Sequence, residues 1–282
     1  MKSNIYVSSL AFIGQSIEDI IKVCLENDLN LEFSSGLAYR EDMEYVYSNA
    51  NLRRLAHNYF PAPQIPFVLN LGSSNIEIRT KSIEHCKNGL SLSKKSNSPF
   101  FAAHAGFCID PDPNELGRKI AIKNDYDKQL HKQLFLEAVL EILKFADEIG
   151  VDFLIENNVL APFNYDGSNP LLCCSSEEVD WLFKAITNPR LGLLLDTAHL
   201  KVSCQTLQLD LFDEFEKVSP FVKAFHHSDN DGMKDCNYQL NEKYWFLPYI
   251  KKFKNYVHVL EIKTDGINEI KQQIKLLEKN GY

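Results

Sequence analysis

The sequence lacks the features that define several common classes of protein. No apolar run reaches the roughly 18 residues that a membrane-spanning helix requires, and no Pro-, Gly- or Ser-rich tract or block of charge interrupts the 282 residues. It contains no GxGxxG fingerprint, no GxxxxGK(S/T) phosphate loop and no GxSxG elbow. Dinucleotide, nucleotide and serine-hydrolase chemistry therefore have no motif to support them.

An excess of basic residues is also missing. The chain carries 30 Lys and Arg against 38 Asp and Glu, which gives a formal charge of -8, whereas proteins that bind nucleic acids usually show a basic footprint. The seven cysteines are odd in number and scattered, with no CxxC pair and no recognisable secretory leader before them. These features predict a soluble cytoplasmic protein with reduced thiols and without a membrane or nucleic-acid partner.

What the sequence does contain is an alternation of short apolar runs with longer helical patterns. Such an alternation is typical of βα units around a parallel sheet, and the nearly continuous apolar character of most runs is typical of strands covered on both faces. Eight strands are predicted, at residues 4–8, 30–34, 66–71, 99–104, 151–156, 191–196, 222–226 and 256–262.

The helical period is strongest at residues 129–149, where an apolar stripe lies opposite charged positions. With no linker in the chain, eight βα units predict one α/β domain over residues 1–282, a TIM (β/α)8 barrel. The connections at residues 105–127 and 157–174 are longer than barrel closure needs. Because both follow strand ends, they are candidate active-site loops.

Ionisable residues end the last five predicted strands. His104 follows the fourth strand, Glu156 the fifth, Asp196 the sixth and His226 the seventh, while Glu261 lies in the eighth. Active sites of such barrels lie at the carboxyl ends of the strands, and charged groups there are costly to bury unless they are paired. The pattern therefore predicts a functional cluster.

A divalent cation would satisfy this cluster. Glu156, Asp196, His226 and Glu261 offer three carboxylates and one imidazole, an oxygen-rich set that suits Mn²⁺ or Mg²⁺ best, with Zn²⁺ or Co²⁺ as alternatives. Neighbouring residues of a strand face opposite sides. Only one of His226 and His227 can therefore point inward.

Four motifs together resemble those of the xylose isomerase-like TIM-barrel superfamily, which includes sugar isomerases, ketose epimerases, inosose dehydratases and the endonuclease IV class. The motifs are Ile155-Glu156-Asn157, Leu195-Asp196-Thr197-Ala198-His199, His226-His227-Ser228-Asp229 and Leu260-Glu261. The resemblance implies a metal-dependent isomerase or epimerase of a sugar, sugar phosphate or cyclitol, and related enzymes often form homodimers. It also favours His226 as the ligand, because the spacing to Asp229 matches the superfamily's His-x-x-Asp.

The resemblance also implies individual roles. Glu156 and Glu261 would bind the metal and act as the acid/base pair that moves a proton between adjacent carbons. His199 would bind a substrate oxygen, and His104 would lie in the substrate pocket or beside Glu156.

The sequence departs from both branches of the superfamily. Where endonuclease IV places a zinc-binding histidine before the Asn-Leu-Gly run, this chain has Gln64-Ile65-Pro66-Phe67, and an Asp-x-His pair of that branch reads Asp235-Cys236-Asn237. Two of three zinc sites are thus expected to be incomplete. The arginine that ketose epimerases place six residues after the metal-binding histidine is Gly232 here. A zinc phosphodiesterase of the endonuclease IV type and a catalytically inactive metal-binding barrel remain the alternatives.

Overall fold

Eight parallel strands curl into a nearly closed barrel, and the helices pack around its outside. The computed structural model describes residues 4–113, 118–120 and 125–282. The strand order is β3-β2-β1-β8-β7-β6-β5-β4. The strands are β1 (Ile5–Ser8), β2 (Asn30–Phe33), β3 (Arg54–Ala56), β4 (Phe100–His104), β5 (Asp152–Glu156), β6 (Leu191–Asp196), β7 (Val222–His227) and β8 (Val257–Leu260).

The helices follow the strands along the chain, as βα units require. They are α1 (Ile17–Glu26), α2 (Met43–Asn49), α3 (Ile76–Lys95), α4 (Lys128–Ile149), α5 (Ser176–Ala185), α6 (Thr197–Leu207), α7 (Leu211–Val218), α8 (Ile250–Phe253) and α9 (Ile267–Lys279). The predicted helix at 129–149 is confirmed as α4. Within the described residues, no helix is both long enough and apolar enough to cross a membrane.

The barrel closes where β3 meets β4. An isolated parallel bridge joins His57 to Ala102, and the backbone N–H of Asn58 donates a 2.7 Å hydrogen bond to the carbonyl of Ala102. The prediction of a TIM (β/α)8 barrel is therefore confirmed.

The predicted third strand was wrong. Residues 66–71 lie in the loop between β3 and α3, and the third strand is the three-residue β3. The run is apolar because Val68, Leu69 and Leu71 are buried. A side chain holds this loop where strand pairing would hold a strand. Asn70 Oδ1 accepts hydrogen bonds from the N–H groups of Gly72 and Phe107. Burial without strand pairing produced the misleading pattern.

Alternation along the strands sorts side chains between the barrel interior and the helices. One buried cluster fills the interior, and it consists of Tyr6, Leu55, Phe100, Ala102, Leu154, Leu194, Ala224 and Val259. A much larger cluster lies between strands and helices and includes Leu31, Phe101, Phe153, Leu193 and Phe225. Since alternate residues face the same side, the residue two positions after an interior side chain also faces the interior, one layer closer to the carboxyl ends of the strands.

Candidate metal and substrate site

The four side chains predicted to bind a metal converge at the carboxyl end of the barrel. Each lies two positions after an interior apolar residue, as Glu156 does after Leu154 and His226 after Ala224. His226 Nδ1 lies 3.1 Å from Glu261 Oε2, 3.5 Å from Glu156 Oε1 and 4.0 Å from Asp196 Oδ2. One oxygen or nitrogen from each residue lies within 4.8 Å of all the others. The structure therefore brings this predicted set together.

Asp196 serves two purposes with its two oxygens. Oδ1 accepts 2.7 Å hydrogen bonds from the backbone N–H groups of Ala198 and His199, so it caps the amino end of α6. Oδ2 is buried and has no hydrogen-bond partner among the described residues. The cap fixes the carboxylate so that its second oxygen faces His226.

The donor set fits a cation. Besides Asp196 Oδ2, Glu156 Oε1 is buried without a hydrogen bond from any described residue, and such groups are rare in folded proteins unless water or an ion satisfies them. Burial raises the pKa of Asp196 to about 7 against the attraction of His199, and repulsion from Glu156, Asp235 and Glu261 adds to the rise. A divalent ion would remove that repulsion and satisfy both orphaned oxygens.

His226 is oriented by Glu32, a buried carboxylate at the carboxyl end of β2. Glu32 Oε2 accepts a hydrogen bond from His226 Nε2 at 2.9 Å. This contact places the proton of a neutral imidazole on Nε2 and leaves the lone pair of Nδ1 directed at the three carboxylates. Metal-binding histidines commonly have such a carboxylate partner.

Its neighbour His227 faces away from the barrel interior. His227 Nδ1 lies 2.8 Å from the hydroxyl of Tyr244, and Nε2 lies 2.8 Å from Nδ1 of His258. The ring also stacks on Phe225, a member of the cluster between strands and helices. Of the two histidines, only His226 therefore lies with the three carboxylates.

A second group of potential ligands shares Glu156. Its Oε2 lies 2.6 Å from Nε2 of His57 and 3.0 Å from Nε2 of His104. Burial would raise the pKa of Glu156, but the charges of His104, His57 and His226 together with the hydrogen bond to His104 hold that pKa well below its usual range. His57, His104 and Glu156 lie close enough to share one ion. The expectation that a histidine is missing here was wrong, because His57 at the end of β3 supplies the imidazole.

His199 lies against the cluster from the first turn of α6. Its Nδ1 is 2.9 Å from the carbonyl of Asn157 and 3.7 Å from Glu156 Oε1, while Nε2 is 3.5 Å from Asp235 Oδ2. Asn237 occupies the position at which the Asp-x-His pair of the endonuclease IV branch has its histidine. Its backbone carbonyl accepts a hydrogen bond from the N–H of Lys263. This position therefore differs from the endonuclease IV branch, as the sequence indicated.

A cavity of about 410 Å³ opens beside the cluster, and His104, His199 and Asp235 form its polar end. Both long connections contribute to its walls, with Phe107 from the first and Phe163 from the second. Residues 114–117 and 121–124 of the first connection lie outside the described part of the chain. The volume is within the range of small-molecule sites.

Three residues of the site were not predicted: Glu32, His57 and the carboxylate of Asp235 as a partner of His199. Alternation carried a usable signal for Glu32, whereas the position of His57 follows it only once β3 is known. His57 lies two positions after the interior Leu55, and Glu32 interrupts the apolar run of the correctly predicted second strand. Asp235 lies in the loop after β7, where no periodicity applies.

The xylose isomerase-like TIM barrel family model matches residues 12–282. The chain belongs to this family. No curated protein matches the sequence. The match covers β2 to β8 and all the clustered residues described above.

Solved structures of similar fold include both sugar epimerases and a nuclease. A D-tagatose 3-epimerase-like protein aligns with a TM-score of 0.72 and 17% identity over 99% of this chain and 97% of its own. D-psicose 3-epimerase from Clostridium cellulolyticum gives 0.64 and 14% over 99% and 95%. Endonuclease IV from Thermus thermophilus gives 0.58 and 15% over 98% of each chain. At such identities the similarity establishes the fold.

Proposed function

We propose that this protein is a divalent-metal-dependent isomerase or epimerase of a monosaccharide or a sugar derivative. The observation that carries the proposal is the convergence of Glu156, Asp196 and Glu261 on one nitrogen of His226. These four side chains would hold the ion. The family members of known structure that act on sugars, such as D-psicose 3-epimerase, support the same class of reaction.

Glu156 and Glu261 would act as the acid/base pair. They come from β5 and from the end of β8, so they approach His226 from different strands of the barrel. One carboxylate would accept the proton from a carbon next to the substrate carbonyl, and the other would return a proton to that carbon's opposite face or to the neighbouring carbon. A bound divalent cation would supply Lewis-acid stabilisation for the charge that develops on the substrate oxygens.

His57 and His104 have a definite role in this mechanism. Both lie within hydrogen-bond distance of Oε2 of Glu156, so they fix the carboxylate and leave Oε1 for the ion. His104 is partly exposed to the cavity. It and His199 would contact substrate oxygens, since both line the polar end of the cavity.

The proposal predicts exchange of carbon-bound hydrogen with solvent. Protein loaded separately with Mn²⁺, Mg²⁺, Co²⁺ or Zn²⁺ would be incubated in D₂O with aldoses, ketoses and their phosphates, and proton NMR would follow the resonances next to the carbonyl. We expect at least one sugar to lose such a resonance and to form an isomer. Formation of the isomer that persists in Glu261→Gln protein would contradict the assignment of Glu261, because conversion requires both carboxylates.

A second candidate is a phosphodiester hydrolase of the endonuclease IV type, because His57, His104 and Glu156 form a second potential metal group. Sites with two ions a few ångströms apart are typical of phosphatases and nucleases. The acidic charge and the small cavity favour a small sugar over a nucleic-acid strand.

Metal content distinguishes the candidates. Protein purified without added metal would be examined by inductively coupled plasma mass spectrometry and then titrated with Mn²⁺ and Zn²⁺. If the protein is an isomerase, we expect one exchangeable ion per chain. Two or three tightly held zinc ions, together with cleavage of a phosphodiester, would favour the hydrolase, and no binding of any ion would favour an inactive scaffold.

Glu32 provides a quantitative test of how the ion is held. In Glu32→Gln the side chain can still accept a hydrogen bond from His226, but it no longer increases the basicity of the imidazole. We expect the dissociation constant for Mn²⁺ to rise by about 10- to 100-fold, as measured by competition with a chromophoric chelator. The metal-free protein should unfold at a lower temperature. Burial alone would raise the pKa of Glu32, but the charges of His226 and His57 hold that pKa below its usual range, so the ionised carboxylate stabilises the fold. Unchanged affinity would contradict this role.

A further inference from the structure

The walls of the cavity differ in chemistry between its two ends. His104, His199 and Asp235 lie at the end next to the metal-binding cluster. Ser35, Asn58 and Lys234 add further polar side chains to the lining. The apolar part of the walls is the larger one, and it includes Phe67, Val68, Phe107, Val159, Phe163 and Leu171. A bound sugar with its reacting carbons at the cluster would therefore direct its other end at apolar side chains.

The apolar walls are fixed by packing. Val68, Phe107 and Leu171 also belong to a buried cluster with Leu160 and Cys174, separate from the main core. An isolated antiparallel bridge joins Phe107 to Leu171, so the two long connections hold each other in place. These walls are part of the packed structure. Moving them to expose polar groups would disrupt that packing and would cost free energy.

Three of the polar side chains among these walls, those of Asn158, Tyr59 and Asn164, are already engaged. Asn158 Nδ2 donates hydrogen bonds to the carbonyls of Ala105, Gly106 and Leu172. The hydroxyl of Tyr59 accepts a hydrogen bond from the N–H of Phe67. These groups hold the loops in position and have little capacity left for a ligand.

Asn164 is engaged in the same way. Its Oδ1 accepts from the N–H of Ile120, and its Nδ2 donates to the carbonyl of Arg118. A hydroxyl group buried against this part of the cavity would lose its water without gaining a partner, which disfavours binding. A methyl group in the same place would gain by burial.

From these contacts we infer that the substrate is a sugar bearing an apolar substituent, the methyl of a 6-deoxy sugar, directed away from the reacting carbons. This inference rests on the proposed function for the class of reaction. It adds that the preferred sugar carries a methyl group where its fully hydroxylated parent carries a hydroxymethyl group.

The test is direct binding to Glu261→Gln protein saturated with Mn²⁺ or Mg²⁺. The ligands are matched pairs that differ only at C6: L-fucose with L-galactose, and L-rhamnose with L-mannose. We expect the apolar member of at least one pair to bind fivefold or more tightly by isothermal titration calorimetry. With the diamagnetic Mg²⁺ form, saturation-transfer NMR should give the largest signal at its methyl protons.

A matched pair of phenylalanines tests the location. Phe163 and Phe212 are both partly exposed, at 41% and 47%, but only Phe163 of the two lines the cavity. Phe163→Ser should reduce the binding preference at least threefold, while Phe212→Ser should leave it unchanged.

Two outcomes would overturn the inference in distinguishable ways. If parent sugars bind as tightly as the apolar members, or if only parent sugars exchange hydrogen in D₂O, the inference fails and the isomerase proposal stands. If no sugar binds and none exchanges hydrogen, both fail together.

Discussion

Glu156→Gln should abolish turnover while leaving the barrel folded. Glutamine keeps the size of the side chain but cannot accept the substrate proton, and it is a poor ligand where a carboxylate is required. We expect a loss of at least about 10³-fold in kcat, since loss of one acid/base group alone costs roughly 10²- to 10⁴-fold. The far-ultraviolet circular dichroism spectrum should be unchanged, because the apolar layer of the barrel interior lies below this residue.

Glu214→Gln is the matched control. Glu214 is also a buried glutamate, but it lies in α7 and accepts hydrogen bonds from the backbone N–H and the hydroxyl of Ser176. This substitution should cost some stability and leave kcat unaltered. If Glu156→Gln unfolds the protein while Glu214→Gln does not, Glu156 is a structural group and the catalytic assignment fails.

The predictable part of this site follows from strand alternation. Runs such as Phe153-Leu154-Ile155 identify a buried strand, and the ionisable residue at its end then lies at the carboxyl edge of the barrel, where every strand of a parallel sheet points. That reasoning needs only local sequence for Glu156, Asp196 and Glu261. The choice of His226 over His227 came from the resemblance, because the spacing to Asp229 matches the superfamily's His-x-x-Asp.

His57 could not be found in the same way because β3 is only three residues long. Its sequence, Arg54-Leu55-Ala56, is too short to show a period, whereas the longer apolar run at 66–71 has the composition of a strand. The difference between them is long-range: β3 pairs with β2, while the backbone around Asn70 is held by that residue's own side chain. Local sequence alone does not show which of two apolar segments pairs with a neighbouring strand.

The side chains that line the cavity also could not be predicted from the sequence. Phe107 and Phe163 belong to different connections, separated by α4 and β5 along the chain. Whether Asn158 faces a ligand or the carbonyls of a neighbouring loop depends on how those connections fold over the barrel. The departure at Gly232 indicated that substrate contacts must differ from those of ketose epimerases, and the apolar walls now suggest in which direction.

The two adjacent histidines of β7 allow a sharp test of the metal assignment. Both side chains are fully buried, so replacing either by asparagine perturbs the same part of the core. His226→Asn should weaken Mn²⁺ binding by more than about 100-fold, because it removes the nitrogen that faces all three carboxylates, whereas loss of a mere supporting partner costs about 10- to 100-fold. Turnover should fall with it. Equilibrium dialysis with metal analysis measures the first effect.

His227→Asn should have the opposite profile. It leaves His258 Nδ1 without its 2.8 Å partner, because the asparagine amide reaches only the position of His227 Nδ1 next to Tyr244, and this should lower the free energy of unfolding by about 1–3 kcal/mol. One ion per chain should still bind, because neither ring nitrogen of His227 faces the carboxylates. Loss of the ion in His227→Asn but not in His226→Asn would mean that β7 is shifted by one residue in the native protein. Since such a shift exchanges the faces of every side chain on the strand, it would also move Phe225 into the barrel interior, so the two variants test the register of β7 and the metal site together.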